Sequence, residues 1–422
     1  MFELLERVNE DAILGLMAKF RADPSGHKVD LGAGVYRDIE GNTPVLECVR
    51  AAERAILAGQ NTKSYVAAAG RAEFNHAITE LVCGPLLQSI GPARLRTVQA
   101  PGGCGALRIG AELIRAAAPA AVVHVSDPTW ANHVPLLGGS GLRLARYAYY
   151  DTARNRLRFE AMLESLDRAA AGDVVLLHAC CHNPTGADLA PDQWRAVIEV
   201  LGRRRLIPFL DLAYQGFGGG LDADVEAVRL VAKAVPESLI AVSFSKNFGL
   251  YRERVGALIT VSADAAAADA AYSHVLQIAR SIYSMPPDHG AAITAHILAD
   301  PALRASWLEE LAAMRGRIEA MRGLLAAELR ARVGDASFDF IGAQRGMFSL
   351  LGVPPAVVAR LRERHHIYIM GDSRMNVAGV TPGNAAYVAD AIVESLGWAR
   401  AGQPLSGQAL SGQALSGQAP SA

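Results

Sequence analysis

Short runs of apolar residues recur through the middle of the chain, separated by longer stretches in which apolar positions return every three or four residues. The short runs predict strands over 121–126, 174–178, 206–211 and 239–243. The stretches between them predict helices, among them 191–204 and 224–234. Strands alternating with helices point to an α/β fold, a mostly parallel sheet covered on both faces. After residue 301 alanine-rich segments with helical spacing dominate. They suit a second, smaller α/β body built from the C-terminal part together with the N-terminal segment. From about residue 401 the pattern stops. Leu-Ser-Gly-Gln-Ala repeats from Leu405, Leu410 and Leu415, without charge or aromatic ring, and predicts a flexible tail with no function.

Composition narrows this picture. A chain of 422 residues, 51% of them hydrophobic, can bury a large core and is long enough for a large α/β domain with a smaller partner. A net charge of −1 gives no reason to expect a nucleic-acid partner. No apolar run reaches the length of a membrane span, and the acidic start Met1-Phe2-Glu3-Leu4-Leu5-Glu6 does not read as a signal peptide. The cysteines, Cys48, Cys83, Cys104, Cys180 and Cys181, are odd in number and fit neither a disulfide framework nor a zinc site. Free thiols in a reducing, cytoplasmic compartment, and no metal, are the expectation.

The candidate chemistry lies at the strand ends, where open α/β sheets bind ligands. Asn183-Pro184-Thr185-Gly186 follows one strand, Asp211 ends the next, and Ser243-Phe244-Ser245-Lys246 ends a third. Only five of the 41 basic residues are lysine, so Lys246 is a lysine chosen in an arginine-rich chain. Lysine, unlike arginine, can lose its proton and attack a carbonyl. Two serines before it and Arg254 after it suit a phosphate clamp, which together suggest a pyridoxal phosphate lysine. A solvated charge at a strand end is the plainer reading of the same residue. Pro101-Gly102-Gly103-Cys104-Gly105 opens a predicted helix and could bind an anion, but lacks the Gly-Lys-Ser/Thr ending of a nucleotide P-loop. No dinucleotide fingerprint follows the first strand.

Taken in order, Cys181-His182-Asn183-Pro184-Thr185-Gly186, Asp211-Leu212-Ala213-Tyr214-Gln215-Gly216-Phe217 and Ser243-Phe244-Ser245-Lys246-Asn247 resemble the class I pyridoxal-phosphate-dependent aminotransferases. The similarity is narrower still to the bacterial aspartate and aromatic amino-acid aminotransferases, and runs over about residues 2–396. It implies the fold type I architecture, with an N-terminal arm and part of the small domain in 1–45, a large cofactor-binding domain in 46–310, a small domain in 311–400 and the tail in 401–422. It also implies site roles. Lys246 would carry the cofactor as a Schiff base and shuttle the proton. Asp211 would pair with the pyridine nitrogen, and Asn183 and Tyr214 would hydrogen-bond the ring oxygen. Trp130 would stack on the ring with His133 behind it. Gly103, Cys104, Ser243 and Arg254 would hold the phosphate, joined by Tyr65 from a second subunit, which implies a homodimer. Cys104 departs from the threonine or serine usual there, and a thiol is a poor donor.

Two arginines bear on substrate. By the same resemblance, Arg374 would grip the α-carboxylate beside Gly34, and Arg280 of the second subunit would pair with a distal carboxylate. Met285, where aspartate-specific relatives often have asparagine, and the small Ser64 and Ala33 would leave room for an aromatic ring. The expected reaction is therefore ping-pong amino transfer from aspartate and aromatic L-amino acids to a 2-oxo acid such as 2-oxoglutarate. A strict aspartate enzyme, another reaction of the same cofactor, and a non-enzymatic binding role are the alternatives.

Overall fold

A computed structural model describes residues 1–7 and 12–397, so the repeat tail lies outside the described residues. Seven strands form one sheet: β1 Leu95–Pro101, β2 Val122–Asp127, β3 Arg143–Ala148, β4 Val174–His178, β5 Ile207–Leu212, β6 Ser238–Ser243 and β7 Val255–Val261. Their spatial order is β1-β7-β6-β5-β4-β2-β3. All neighbours pair in parallel except β7, which runs antiparallel to both β1 and β6. Four of these strands sit within a residue of the expected runs, the helix Pro191–Arg204 lies where the periodicity puts it, and the helix Leu221–Ala234 ends as expected but begins ahead of residue 224.

The other three strands escape the pattern for physical reasons. β1 and β3 are the two edges, and they carry polar positions such as Arg96, Arg143 and Arg146. β7 is buried along its whole length, yet it follows β6 with no helix between them. An alternation of strand and helix has no place for such a return strand. Being antiparallel, it needs no crossover helix.

Local chemistry fixes the helix ends. Pro191 opens its helix, and the Gln193 side chain accepts the Ala190 N–H at 2.9 Å. Helix α1, Gly102–Ala117, starts directly after β1. Helix α2, Pro301–Val333, is capped by Asp300, whose Oδ1 accepts the N–H groups of Ala302 and Leu303 at 2.8 and 3.0 Å. It ends on Gly334 in the left-handed region.

Helix α2 joins two cores. Trp307, Leu311, Met314 and Ile318 pack into the core on one face of the main sheet. Met321, Leu325 and Leu329 pack into a separate core with Val29, Leu31, Ile367, Val388 and Ile392. Around that second core, Val29–Asp30 pairs in parallel with Ile367–Tyr368, and Phe348–Leu350 pairs antiparallel with Arg374–Asn376. The N-terminal and C-terminal parts of the chain thus share one hydrophobic unit. Among the described residues no helix is long and apolar enough to cross a membrane.

Candidate active site

The carboxyl ends of β1, β4, β5 and β6 and the amino end of β7 open on one side of the sheet. Register places His178 opposite Asp211, and Val255 opposite Pro101. These ends surround a cavity of ≈ 200 Å³. Gly103, Cys104, Trp130, Asn183, Asp211, Tyr214, Ser243, Lys246 and Arg254 all line it.

At the floor, Asp211 is buried, and its Oδ2 lies 3.1 Å from His133 Nε2. Burial pushes its carboxyl up, but the His133 hydrogen bond and the neighbouring positive charges outweigh this and hold it below the usual carboxylate range. His133 is fixed in turn by Thr129, 2.8 Å from its Nδ1. Trp130 meets the His133 ring edge-on, with centroids 5.2 Å apart.

Lys246 is half-buried, its Nζ 5.2 Å from the centre of the Tyr214 ring. Among the described residues that nitrogen makes no hydrogen bond. Burial lowers its pKa, opposed by the charge of Asp211. The Asn183 amide lies 3.5 Å from the Tyr214 hydroxyl, whose pKa burial raises.

The opposite end of the cavity is built for an anion. Arg254 donates to Ser245 Oγ at 3.2 Å, and Ser245 Oγ lies 3.3 Å from Ser243 Oγ. The start of α1 closes onto the same group. A Cβ on Gly102, which has φ +70, would stand 2.5 Å from an Arg254 nitrogen, and one on Gly103 would stand 3.0 Å from Ser243 Cβ. Only glycines let the backbone N–H groups approach this closely. Cys104 accepts a weak contact from Asn132 Nδ2 at 3.7 Å.

Arg374 stands next to this cavity, 5% exposed. Its guanidinium donates to Asn183 Oδ1 and to the Gly32 carbonyl, both at 3.2 Å, and lies 4.4 Å from the centre of the Phe348 ring. Its Nε is buried without a partner among the described residues. Gly34 borders the same ring, since a Cβ there would sit 3.4 Å from Phe348 Cζ. Two expected site residues lie elsewhere. Tyr65 is 91% exposed, and Arg280 is exposed at the end of the helix Ala265–Ile282, bonded to Ser284.

His178 and Tyr251 also line the cavity without having been singled out from sequence. His178 could have been found, because it is a polar residue ending a buried apolar strand one place from Asp211 in the sheet. Burial lowers its pKa to about 3, so it is neutral there, and its Nε2 has no partner among the described residues. Away from the cavity, donor atoms of Cys180, Cys181 and Asp224 gather within 4.8 Å of one another. The Asp224 oxygens already accept the N–H groups of Gly216, Gly218 and Gly219, which makes the cluster a clamp on that loop.

Residues 26–392 match the model of the family "Aminotransferase class I and II". The chain belongs to this family. It is 47% identical to the aromatic-amino-acid aminotransferase of Paracoccus denitrificans over 384 residues, which are 91% of this chain and 97% of that one. It is 46% identical to the aspartate aminotransferase of Salmonella typhi over 396 residues, 94% of this chain and all of that one. Its fold matches the crystal structure of the aromatic-amino-acid aminotransferase of Burkholderia pseudomallei covalently bound to pyridoxal phosphate, with a TM-score of 0.91 at 44% identity, covering 94% of this chain and 99% of that one.

Proposed function

We propose that this aminotransferase moves the amino group of L-aspartate and of aromatic L-amino acids to a 2-oxo acid, with pyridoxal phosphate held in the cavity at the strand ends. The observation that carries the reading is the convergence in one cavity of a lysine with an unbonded amine, a buried carboxylate and an anion cradle. Each suits one part of the cofactor, and the glycines of the cradle leave no room for a side chain where the phosphate would lie. When bound, the cofactor supplies an electron sink for breaking the bond to the substrate Cα hydrogen and a carrier for the amino group.

The protein supplies the rest. Asp211 would pair with the pyridine nitrogen, and its negative charge would favour the protonated form of that nitrogen. Lys246 holds the cofactor and then moves the proton at its Nζ, a task helped by the burial that makes its neutral amine easier to reach. Asn183 and Tyr214 would donate to the ring oxygen. Trp130 would cover the ring, and Gly103, Cys104, Ser243 and Arg254 would bind the phosphate. Arg374 grips the substrate α-carboxylate beside Gly34, with its unpartnered Nε as a donor in waiting.

A homodimer completes the site in this proposal. The exposed Tyr65 would reach the phosphate, and the exposed Arg280 the distal carboxylate, of the neighbouring subunit's site. The apolar side chains of Leu57 and Ile282, 79% and 47% exposed, support a covered surface nearby. We also place the boundary between a large domain, residues 46–310, and a small one, residues 311–400 with part of 1–45, within α2, ahead of the point where that helix passes from one core to the other.

Single-turnover measurement of the cofactor's absorbance, with L-aspartate and with L-phenylalanine separately, tests the reading. Conversion by both supports it. Conversion by aspartate alone makes the enzyme aspartate-specific, and conversion by neither overturns it.

A further inference from the structure

Arg322 is a buried cation with no direct ion-pair partner among the described residues, Asp188 acting on its charge only through space. It stands on α2 with 1% exposure, and its partners among the described residues are carbonyls and one hydroxyl. Its Nε donates to the Gly346 carbonyl at 2.9 Å. Nη1 donates to the Ile341 carbonyl at 2.9 Å and to Ser349 Oγ at 2.7 Å. Nη2 reaches the carbonyls of Arg345 at 3.1 Å, Gly346 at 2.8 Å and Phe348. Every N–H of the guanidinium is used, and every acceptor comes from residues 341–349. The planar five-donor fork gathers that segment around one point, a geometry a lysine ammonium cannot reproduce. Without it, several inward-facing carbonyls lose their partner in a place water does not reach.

That segment is the scaffold of the carboxylate site. Its strand Phe348–Leu350 pairs with the strand that carries Arg374, with Leu350 opposite Arg374. Its Phe348 ring lies under the Arg374 guanidinium and meets the Tyr214 ring edge-on, with centroids 6.0 Å apart. The segment also grips the turn that carries Asn183. The Arg345 N–H donates to the Gly186 carbonyl at 2.8 Å, and a Cβ on Gly186 would stand 2.2 Å from the Phe348 carbonyl oxygen. A second arm runs from Ser349 Oγ to Gln344 Oε1 at 2.6 Å, and from Gln344 Nε2 to the Tyr150 hydroxyl at 2.9 Å.

We propose that Arg322 is a positioning residue for the substrate carboxylate, setting the distance between Arg374 and Asn183 through the segment it holds. The proposal rests on the reading of Arg374 as the carboxylate fork. Arg322 touches neither substrate nor cofactor and acts only through Phe348, Arg374 and the 183–186 turn. Arg374 is read as holding the carboxylate and not the reacting atoms, so a small displacement of it should appear in substrate binding before it appears in chemistry.

The test uses the cofactor-loaded full chain and three variants, R322K, R322M and S349A. The readouts are KM and kcat for L-aspartate, the dissociation constant of succinate by calorimetry, and the affinity for pyridoxal phosphate. Expected is a rise of about tenfold or more in KM and in the succinate constant for R322K, more for R322M and less for S349A. The cofactor affinity should be unchanged and kcat should fall less than KM rises. A purely structural role would instead reduce the active fraction, lowering kcat at constant KM, and that result would overturn the proposal. If the Arg322 variants do not fold, S349A decides, and unchanged succinate binding in that variant also overturns it. R374K is the control. If R374K binds succinate as well as the parent, the carboxylate reading itself fails and takes the proposal with it. If R374K is weakened and the Arg322 and Ser349 variants are not, only the proposal fails.

Discussion

Arg374 and Arg280 carry the same charge into opposite surroundings. Arg374 sits 5% exposed on a strand, tied to Asn183 and Gly32 and lying over Phe348. Arg280 stands exposed in the last turn of its helix, with Ser284 as its side-chain partner. In the proposed reading the first is a prefabricated site. Its guanidinium has been taken out of water, and part of its hydrogen-bonding capacity is left open next to the cavity. The second is a free cation that gains a fixed position only if something packs against it. A preorganised cation binds every carboxylate substrate at little ordering cost, whereas a mobile one can engage a second carboxylate or move aside for a ring. One invariant contact and one optional contact are what an enzyme needs to accept both aspartate and an aromatic amino acid.

The predictions break or sharpen that comparison. The largest effect belongs to neither arginine: K246A should lower turnover by about four orders of magnitude or more, and borohydride reduction should no longer fix the cofactor to the protein. Near-normal turnover would remove the framework in which the arginines have their roles. R374K should lower kcat/KM about 100-fold for aspartate and phenylalanine alike, because a bidentate buried contact is lost for both. A loss confined to one substrate would contradict a shared α-carboxylate contact. R280L should lower kcat/KM for aspartate by about thirtyfold while changing phenylalanine little. Equal losses for both would make Arg280 a fixed part of the site, and no loss for either would remove it from the site. The smallest effect concerns the phosphate end. C104T should tighten cofactor binding by about 1 kcal/mol or less, the scale of one hydrogen bond, as measured by equilibrium titration of the cofactor-free protein. Weaker binding would show that the side chain at this position does not face the phosphate.

How much of this was legible beforehand follows the division between local and assembled features. Lys246, Asp211, Asn183 and Ser243 lie at the ends of successive strands, so the spacing of apolar runs already places them along one edge of a sheet. His178 ends such a strand too and could have been read the same way. Arg322 could not. In sequence it is one arginine among 36, on a helix whose other arginines are exposed or half-buried. Only the folding of residues 341–349 around it reveals its partners. The return strand β7 was hidden likewise, because its place between β6 and β1 depends on pairing with β1, far earlier in the chain.

The sequence by itself determined the alternation of strands and helices, the ordered motifs at the strand ends and, through them, the family and its chemistry. These depend on residue type and short spacing, which periodicity and turn chemistry fix locally. Tertiary structure decided which termini share the second core, how the glycines at the start of α1 close on Arg254, and why one arginine is held ready while another is left free. Those outcomes depend on burial and on partners distant in the chain, and burial is a property no residue has until the rest of the molecule has folded around it.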